Sequence, residues 1–219
     1  MPSPNKNFTL RFTMATKISE TTHNFINGKF VSNDAPHLDV ISPIDGKLIS
    51  TVPLSSMTEL DEAVQAARNA FPEWSGRTLK ERVQVFYKYR ELLEKHMDEL
   101  TEFACSMPQI ITNEVQEVSR GVEVRIDRKP LGVVASIAPF NFPNMVPHWT
   151  VPNAIVLGNC MILKPSEVVP VSSVKIAELL KEAGLPDGVF NIVNGGKEIV
   201  EAICDHPDIK AVSLQTRHI

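Results

Sequence analysis

Lys164 and Glu167 stand three residues apart in KPSE, directly after the apolar run CMIL at 160–163. An ammonium brings three N–H donors and a carboxylate brings two acceptor oxygens. Such a pair suits a ligand that carries a sugar and a phosphate. It also suits a plain turn ahead of a helix, with Glu167 near the helix N-terminus, where negative charge is favoured. Spacing alone leaves both readings standing. Asn141 offers a second kind of chemistry. It lies in APFNFP between Phe140 and Phe142, with Pro143 behind it. A carboxamide fixed in an apolar, proline-stiffened loop is a stationary donor for an oxyanion, a role worth about 2.7–4 kcal/mol in a measured case. The plainer alternative is a turn asparagine bonded to its own backbone.

The elements around these residues follow a repeating pattern. GVVASIA is a β-branched apolar strand, CMILK a second, VFNIV a third and IKAVSLQ a fourth. Between them lie VPHWTVPNAIVLG, VSSVKIAELLKEAG and KEIVEAICDH, each of helical length, with Gly184 placed as a C-cap and Pro186 and Pro207 as stops. Strands alternating with helices predict an α/β fold with a parallel sheet and right-handed crossovers. Ligands of open α/β sheets bind beyond the carboxyl ends of the strands. APFNFP, KPSE and the NGG at 194–196 all leave such ends. No G-x-G-x-x-G or Walker-type glycine loop is present, so a glycine-cradled pyrophosphate is not expected.

Upstream, Asn27-Gly28 and Asp45-Gly46 between apolar residues predict two hairpins. Ser56 with Glu59 forms a capping-box pattern for a helix that runs to about Phe71 and stops at Pro72. Thr78 with Glu81 opens a second, amphipathic helix carrying Leu79, Val83, Phe86, Leu93, Met97 and Leu100 at helical period. Val122, Val124 and Ile126 alternate with charged residues, which predicts a strand with one wet face, either at a sheet edge or paired with another subunit.

Bulk composition excludes several classes. The 219 residues are 43 % apolar and 22 % charged, with a net charge of −4 and no basic run, so no nucleic-acid footprint is visible. No apolar stretch has the length of a membrane span. Cys105, Cys160 and Cys204 fit no metal spacing and read as free thiols of a reducing compartment. Cys160 and Cys204 are expected to be inert apolar fillers. Residues 1–22 carry Lys6, Arg11 and Lys17 with no acid before Glu20, the pattern of a mitochondrial targeting segment or of a disordered tail. Without targeting, the location is cytoplasmic.

The stretch PLGVVASIAPFNFPNMVPHWTVPNAIVLGNCMILKPSE, together with LPDGVFNIVNG, resembles the NAD-dependent aldehyde dehydrogenase superfamily. Phe-Asn in the first loop and ICDHPDIKAVS resemble its CoA-acylating methylmalonate-semialdehyde dehydrogenase branch. The resemblance implies a truncated Rossmann-like cofactor domain over 23–219 with N-terminal hairpins and helices. It implies that Asn141 is an oxyanion donor and that Ala138 and Phe140 line the nicotinamide end of NAD. Lys164 and Glu167 would hold the adenosine ribose, and Gly195 would admit the adenine side. The strand at 122–126 would belong to an oligomerisation hairpin, making a homo-oligomer or a hetero-oligomer with full-length subunits. The implied activity is oxidation of methylmalonate or malonate semialdehyde with NAD and CoA to propionyl-CoA or acetyl-CoA.

Three departures accompany the resemblance. LQTRHI stands where the branch continues into a pyrophosphate-binding helix, and a helix-length segment is missing between KHMDELTE and FACSMPQI. No cysteine has the context of the family's nucleophile. The expectation is therefore a chain that is inactive alone, with a non-catalytic NAD-binding or subunit-pairing fragment as the alternative. A smaller difference is Val168, where the branch often has a basic residue.

Overall fold

The structure is a computed structural model in which residues 21–42, 44–94 and 114–215 are described. Residues 1–20 of the expected targeting segment, the second half of the helix over 95–100 and Cys105 lie outside the described residues, whereas Thr22, at the end of that segment, donates its amide to the Thr51 carbonyl at 2.7 Å.

The central element is a six-stranded sheet. Strands β7 (Val133–Ile137), β8 (Cys160–Lys164), β9 (Phe190–Ile192) and β10 (Ile209–Leu214) are mutually parallel, in the order β10-β7-β8-β9. All residues of β7, β8 and β9 are buried, which is why they read as continuous apolar runs rather than alternating ones. The crossovers run through α3 (Met145–Val156), α4 (Val171–Glu182) and α5 (Lys197–Asp205). β7, β8 and β9 progress one way, and the chain then returns to the far side of β7. With right-handed crossovers, α5 must cover the face opposite α3 and α4.

The hairpin of β1 (Asn24–Ile26) and β2 (Lys29–Val31) extends the sheet by pairing β1 antiparallel to β9. Sequence patterning gives the hairpin but not its docking. Two long-range networks carry that docking. Asn191 accepts from the Asn27 amide at 2.9 Å, and Asn24 accepts from the Asn194 amide at 2.8 Å while donating to Ser55 Oγ at 2.8 Å. β3 (His37–Ile41) and β4 (Leu48–Pro53) form the second predicted hairpin as a separate sheet.

Helix α1 spans Met57–Gly76 and starts at the capping box of Ser56 and Glu59. It does not stop at Pro72. The proline stands on the exposed face, so the intrahelical bond it removes lies toward water, and the turn beyond it is anchored. Trp74, 1 % exposed, donates its indole N–H to the Ile155 carbonyl at 3.0 Å. Helix α2 spans Leu79–Glu94. Its Arg82 is buried and donates to the carbonyls of Val156, Ser75 and Arg77, which close the C-terminal ends of α3 and α1. A cation placed there also meets the negative ends of two helix dipoles.

β5 (Glu114–Ser119) and β6 (Val122–Ile126) form an isolated two-stranded sheet. Every residue of β6 is exposed, so the expected single wet face is corrected to two: nothing among the described residues covers the side carrying Val122, Val124 and Ile126. Cys204 is also corrected. Ile199 and Ile203 point α5 into the core, and Cys204, one step around the helix, is exposed rather than a buried filler. Cys160 is fully buried, and burial pushes its thiol up to about 12.

Candidate functional site

Register brings the predicted residues to one edge. Leu214 pairs with Ile137, Ile137 with Lys164, and Leu163 with Ile192, so the loops at 138–144, 164–167 and 194–196 leave the same carboxyl end of the sheet. The Ala138 amide donates to the Lys164 carbonyl at 3.0 Å and the Gln215 amide to the Ile137 carbonyl at 3.2 Å, extending the ladder into the loops. The strand order reverses between β7 and β10, and the crevice of an open sheet lies at such a switch point.

Lys164 is a strand-end lysine whose side chain is 5 % exposed. Its ammonium meets Glu167 Oε2 at 2.8 Å, and that is its one hydrogen bond among the described residues. Two of its three donors are therefore unspent in a buried position. Desolvation raises the Glu167 carboxyl, but the Lys164 bond and charge and its backbone hydrogen bond outweigh it and hold the group below its ordinary value. Glu167 is thus a carboxylate at neutral pH, with a second oxygen free to accept.

Asn141 is exposed at the tip of the first loop, and its carboxamide makes no hydrogen bond among the described residues. The turn-asparagine alternative needs that carboxamide bonded to its own backbone, and it is not. Phe140 and Phe142 flank it, about half exposed at 50 % and 52 %, and Trp149 of α3 is 50 % exposed. Ala138 is buried with its amide spent, so only its methyl and carbonyl remain for a ligand. Gly195 is buried, and a Cβ there would lie 2.6 Å from Ile199 Cγ1. The close approach that demands glycine is thus made by helix α5 of the chain itself.

Three further polar residues, Asn194 of the NGG loop, His148 and Tyr89, carry no role in the sequence reading. Asn194, 1 % exposed, donates its carboxamide N–H to the His23 carbonyl and Asn24 Oδ1, leaving its own Oδ1 buried without a partner among the described residues. His148 and Tyr89 form a buried hydrogen bond of 2.8 Å. Histidine inside the apolar VPHW was the visible signal for that pair. A concavity of about 540 Å³, lined by Phe25, Phe30, Glu178 and Lys181, lies at the β1–β2 hairpin and shares no residue with this edge.

The aldehyde dehydrogenase family model matches residues 30–124 and 101–217. The chain belongs to the aldehyde dehydrogenase family. The two matched stretches meet within 101–124, where the sequence reading places the missing segment. Among curated relatives, malonate-semialdehyde dehydrogenase 2 of Geobacillus kaustophilus is 38 % identical over 89 % of this chain and 46 % of its own length. The acylating, mitochondrial methylmalonate-semialdehyde dehydrogenase of Arabidopsis thaliana is 43 % identical over 87 % of this chain and 36 % of its own. The methylmalonate-semialdehyde dehydrogenase structure from Oceanimonas doudoroffii superposes with a TM-score of 0.83 at 39 % identity, covering 88 % of this chain and 45 % of that one. PnpE, solved in complex with nicotinamide adenine dinucleotide, gives a TM-score of 0.82 at 32 % identity over 88 % and 45 % of the two chains. The chain spans less than half the length of these relatives.

Proposed function

We propose that this aldehyde dehydrogenase chain carries the NAD-binding half of a CoA-acylating methylmalonate- or malonate-semialdehyde dehydrogenase. The observation that carries the reading is Lys164, a buried ammonium with two unspent donors beside a free Glu167 oxygen at the carboxyl end of a parallel sheet. Those groups fit a ribose: the carboxylate accepts from its hydroxyls and the ammonium donates to its oxygens. Ala138 and Phe140 would line the nicotinamide end, and the Gly195 backbone would border the adenine. Bound NAD would supply the hydride acceptor. Asn141 would donate to the oxygen of the substrate carbonyl as negative charge develops on it. Products would be propionyl-CoA or acetyl-CoA, with CoA as co-substrate.

No residue described here supplies the nucleophile. The Cys160 thiol is buried and raised to about 12, and Cys204 sits on the outer face of α5, away from the strand ends. The purified 219-residue chain is accordingly expected to bind NAD and to release no acyl-CoA. Calorimetric titration tests this: NAD should bind to the wild type and bind at least tenfold more weakly to Glu167→Ala. Equal affinity of the two proteins would overturn the ribose assignment, and turnover would overturn the inactivity.

A second reading, subunit pairing, rests on β5–β6. An isolated two-stranded hairpin is marginal in water, yet Val122, Val124 and Ile126 present 51 %, 42 % and 44 % exposure on one face. That face fits a second copy or a full-length subunit, in a homo- or hetero-oligomer. Co-purification with a full-length homologue, abolished by Val124→Lys, would support it. The Arabidopsis relative is mitochondrial by name. With Lys6, Arg11 and Lys17 ahead of the first acid, the mitochondrion is the location this reading favours over the cytoplasm.

A further inference from the structure

The loop that carries Asn141 ends in three consecutive carbonyls, each held by a different donor. Phe142 O accepts from the Val146 amide at 3.1 Å, an ordinary first-turn bond of α3. Pro143 O has no such partner available, because the residue four positions on is Pro147, which has no N–H. Ser172 Oγ, from the first turn of α4, donates to it at 3.1 Å instead. Asn144 O accepts from His148 Nδ1 at 2.6 Å.

The tautomer follows from these partners. A carbonyl only accepts, so Nδ1 carries the proton, and the neutral ring presents Nε2 as an acceptor. Tyr89 of α2 therefore donates its hydroxyl to Nε2, at 2.8 Å, with its ring stacked on the imidazole at 5.8 Å and 18°. Tyr89 is 1 % and His148 5 % exposed, so neither group exchanges its partner for water. The chain Tyr89–His148–Asn144 O thus ties the loop to α2, and Ser172 ties it to α4. None of these bonds uses the Asn141 carboxamide.

We propose that His148 and Ser172 are positioning residues that clamp the Asn141 loop from two sides, with Tyr89 holding the imidazole in the tautomer the clamp requires. The inference rests on reading Asn141 as the oxyanion donor: a stationary donor has no reorganisation to make as charge develops. It assigns the fixing of that donor to two residues outside the loop.

The test separates hydrogen bonding from packing. In His148→Asn the carboxamide nitrogen takes the place of Nδ1 and keeps the bond to Asn144 O. In His148→Gln the amide reaches the place of Nε2 and loses it. Backbone ¹⁵N relaxation of Asn141 in the full chain is the readout. The wild type and His148→Asn should give an order parameter near ~0.85, and His148→Gln and Ser172→Ala should fall below ~0.6. Equal values for the two His148 variants, or a Ser172→Ala loop as rigid as wild type, would overturn the clamp. Should His148→Gln fail to fold, the part-buried Ser172→Ala decides alone. NAD titration of the same samples reports on the cofactor reading separately: a wild type that ignores NAD sinks that reading and leaves the clamp result standing.

Discussion

Replacing Lys164 with methionine should cost little stability while weakening NAD binding strongly. The opposite pair of outcomes would define a structural ion pair. The lysine side chain is 5 % exposed, whereas Glu167 keeps 36 % of its surface in water. A pair with one wet partner contributes about 1 kcal/mol. Against that stands the desolvation of the ammonium, of order several kcal/mol, which one carboxylate and one hydrogen bond offset only in part. Methionine has similar length and carries no charge to desolvate. Glu167, left without its partner, remains hydrated and drifts back up toward its ordinary range. Lys164→Met should therefore lie between about 1 kcal/mol less stable and about 2 kcal/mol more stable than wild type. Hydrogen bonds to a charged group are worth about 1.5–3 kcal/mol each. Losing one to the ribose would raise the Kd for NAD by about 10- to 150-fold. Urea unfolding followed by circular dichroism gives the first quantity and calorimetric titration the second. A loss above about 3 kcal/mol with an unchanged Kd would refute the argument, because Lys164 would then exist for Glu167 alone.

Other perturbations reach the scaffold. Arg82→Met should destabilise the chain by about 2–4 kcal/mol, since it strips donors from carbonyls at two helix ends, and the buried Val156 carbonyl has no water to replace them; a urea midpoint within error of wild type would contradict this. Burial lowers the His148 pKa below its ordinary 6.5, the Asn144 carbonyl opposing that only in part. Its share of stability is whole above about pH 6.5 and is lost as the pH falls toward the folded value, where the unfolded chain binds a proton that the folded one does not. Between pH 6.5 and 5 the wild type should therefore lose more stability than His148→Asn, and parallel melting curves would refute it. Maleimide should label Cys204 in the native protein and reach Cys160 only on unfolding, as peptide mass spectrometry would show; native labelling of Cys160 would contradict its burial.

The parallel core was legible because burial on both faces leaves no alternation to decode: VVASI and CMIL are apolar or small throughout, and the shorter FNI departs from this only at Asn191. The capping box at Ser56 was legible because it is local, four residues long and chemically explicit. What was illegible is tertiary. Pro72 carries the stop signal that the sequence shows, and the force that overrides it is the burial of Trp74 against Ile155, 81 positions away in the chain. The docking of the first hairpin onto β9 depends on Asn24 and Asn194, 170 positions apart, and no window of sequence contains both. For β6 the pattern gave a strand correctly, but alternation cannot say whether its apolar face has a partner within the chain.

The candidate site was legible to a different depth. Residue type placed Lys164, Glu167 and Asn141 at strand ends, and left each with two readings that composition could not separate. The asparagines show what separates them. Asn159 and Asn191 spend both ends of their carboxamides, on the amides of Leu131 and Asn27 and on the carbonyls of Ala154 and Gly188. Asn24 does the same between Asn194 and Ser55. These hold loops to strands, and a carboxamide so occupied has nothing left for a ligand. Asn141 is the same residue with none of its capacity spent among the described residues, on a loop whose last three carbonyls, those of Phe142, Pro143 and Asn144, are held by other donors. Lys164 differs from the surface lysines in the same way: a buried ammonium using one donor of three bears a desolvation cost that its own ion pair does not repay. Hydrogen-bonding capacity that folding leaves unused is the property on which the proposal of a binding site at this edge rests, and it is a property of partners rather than of residue types.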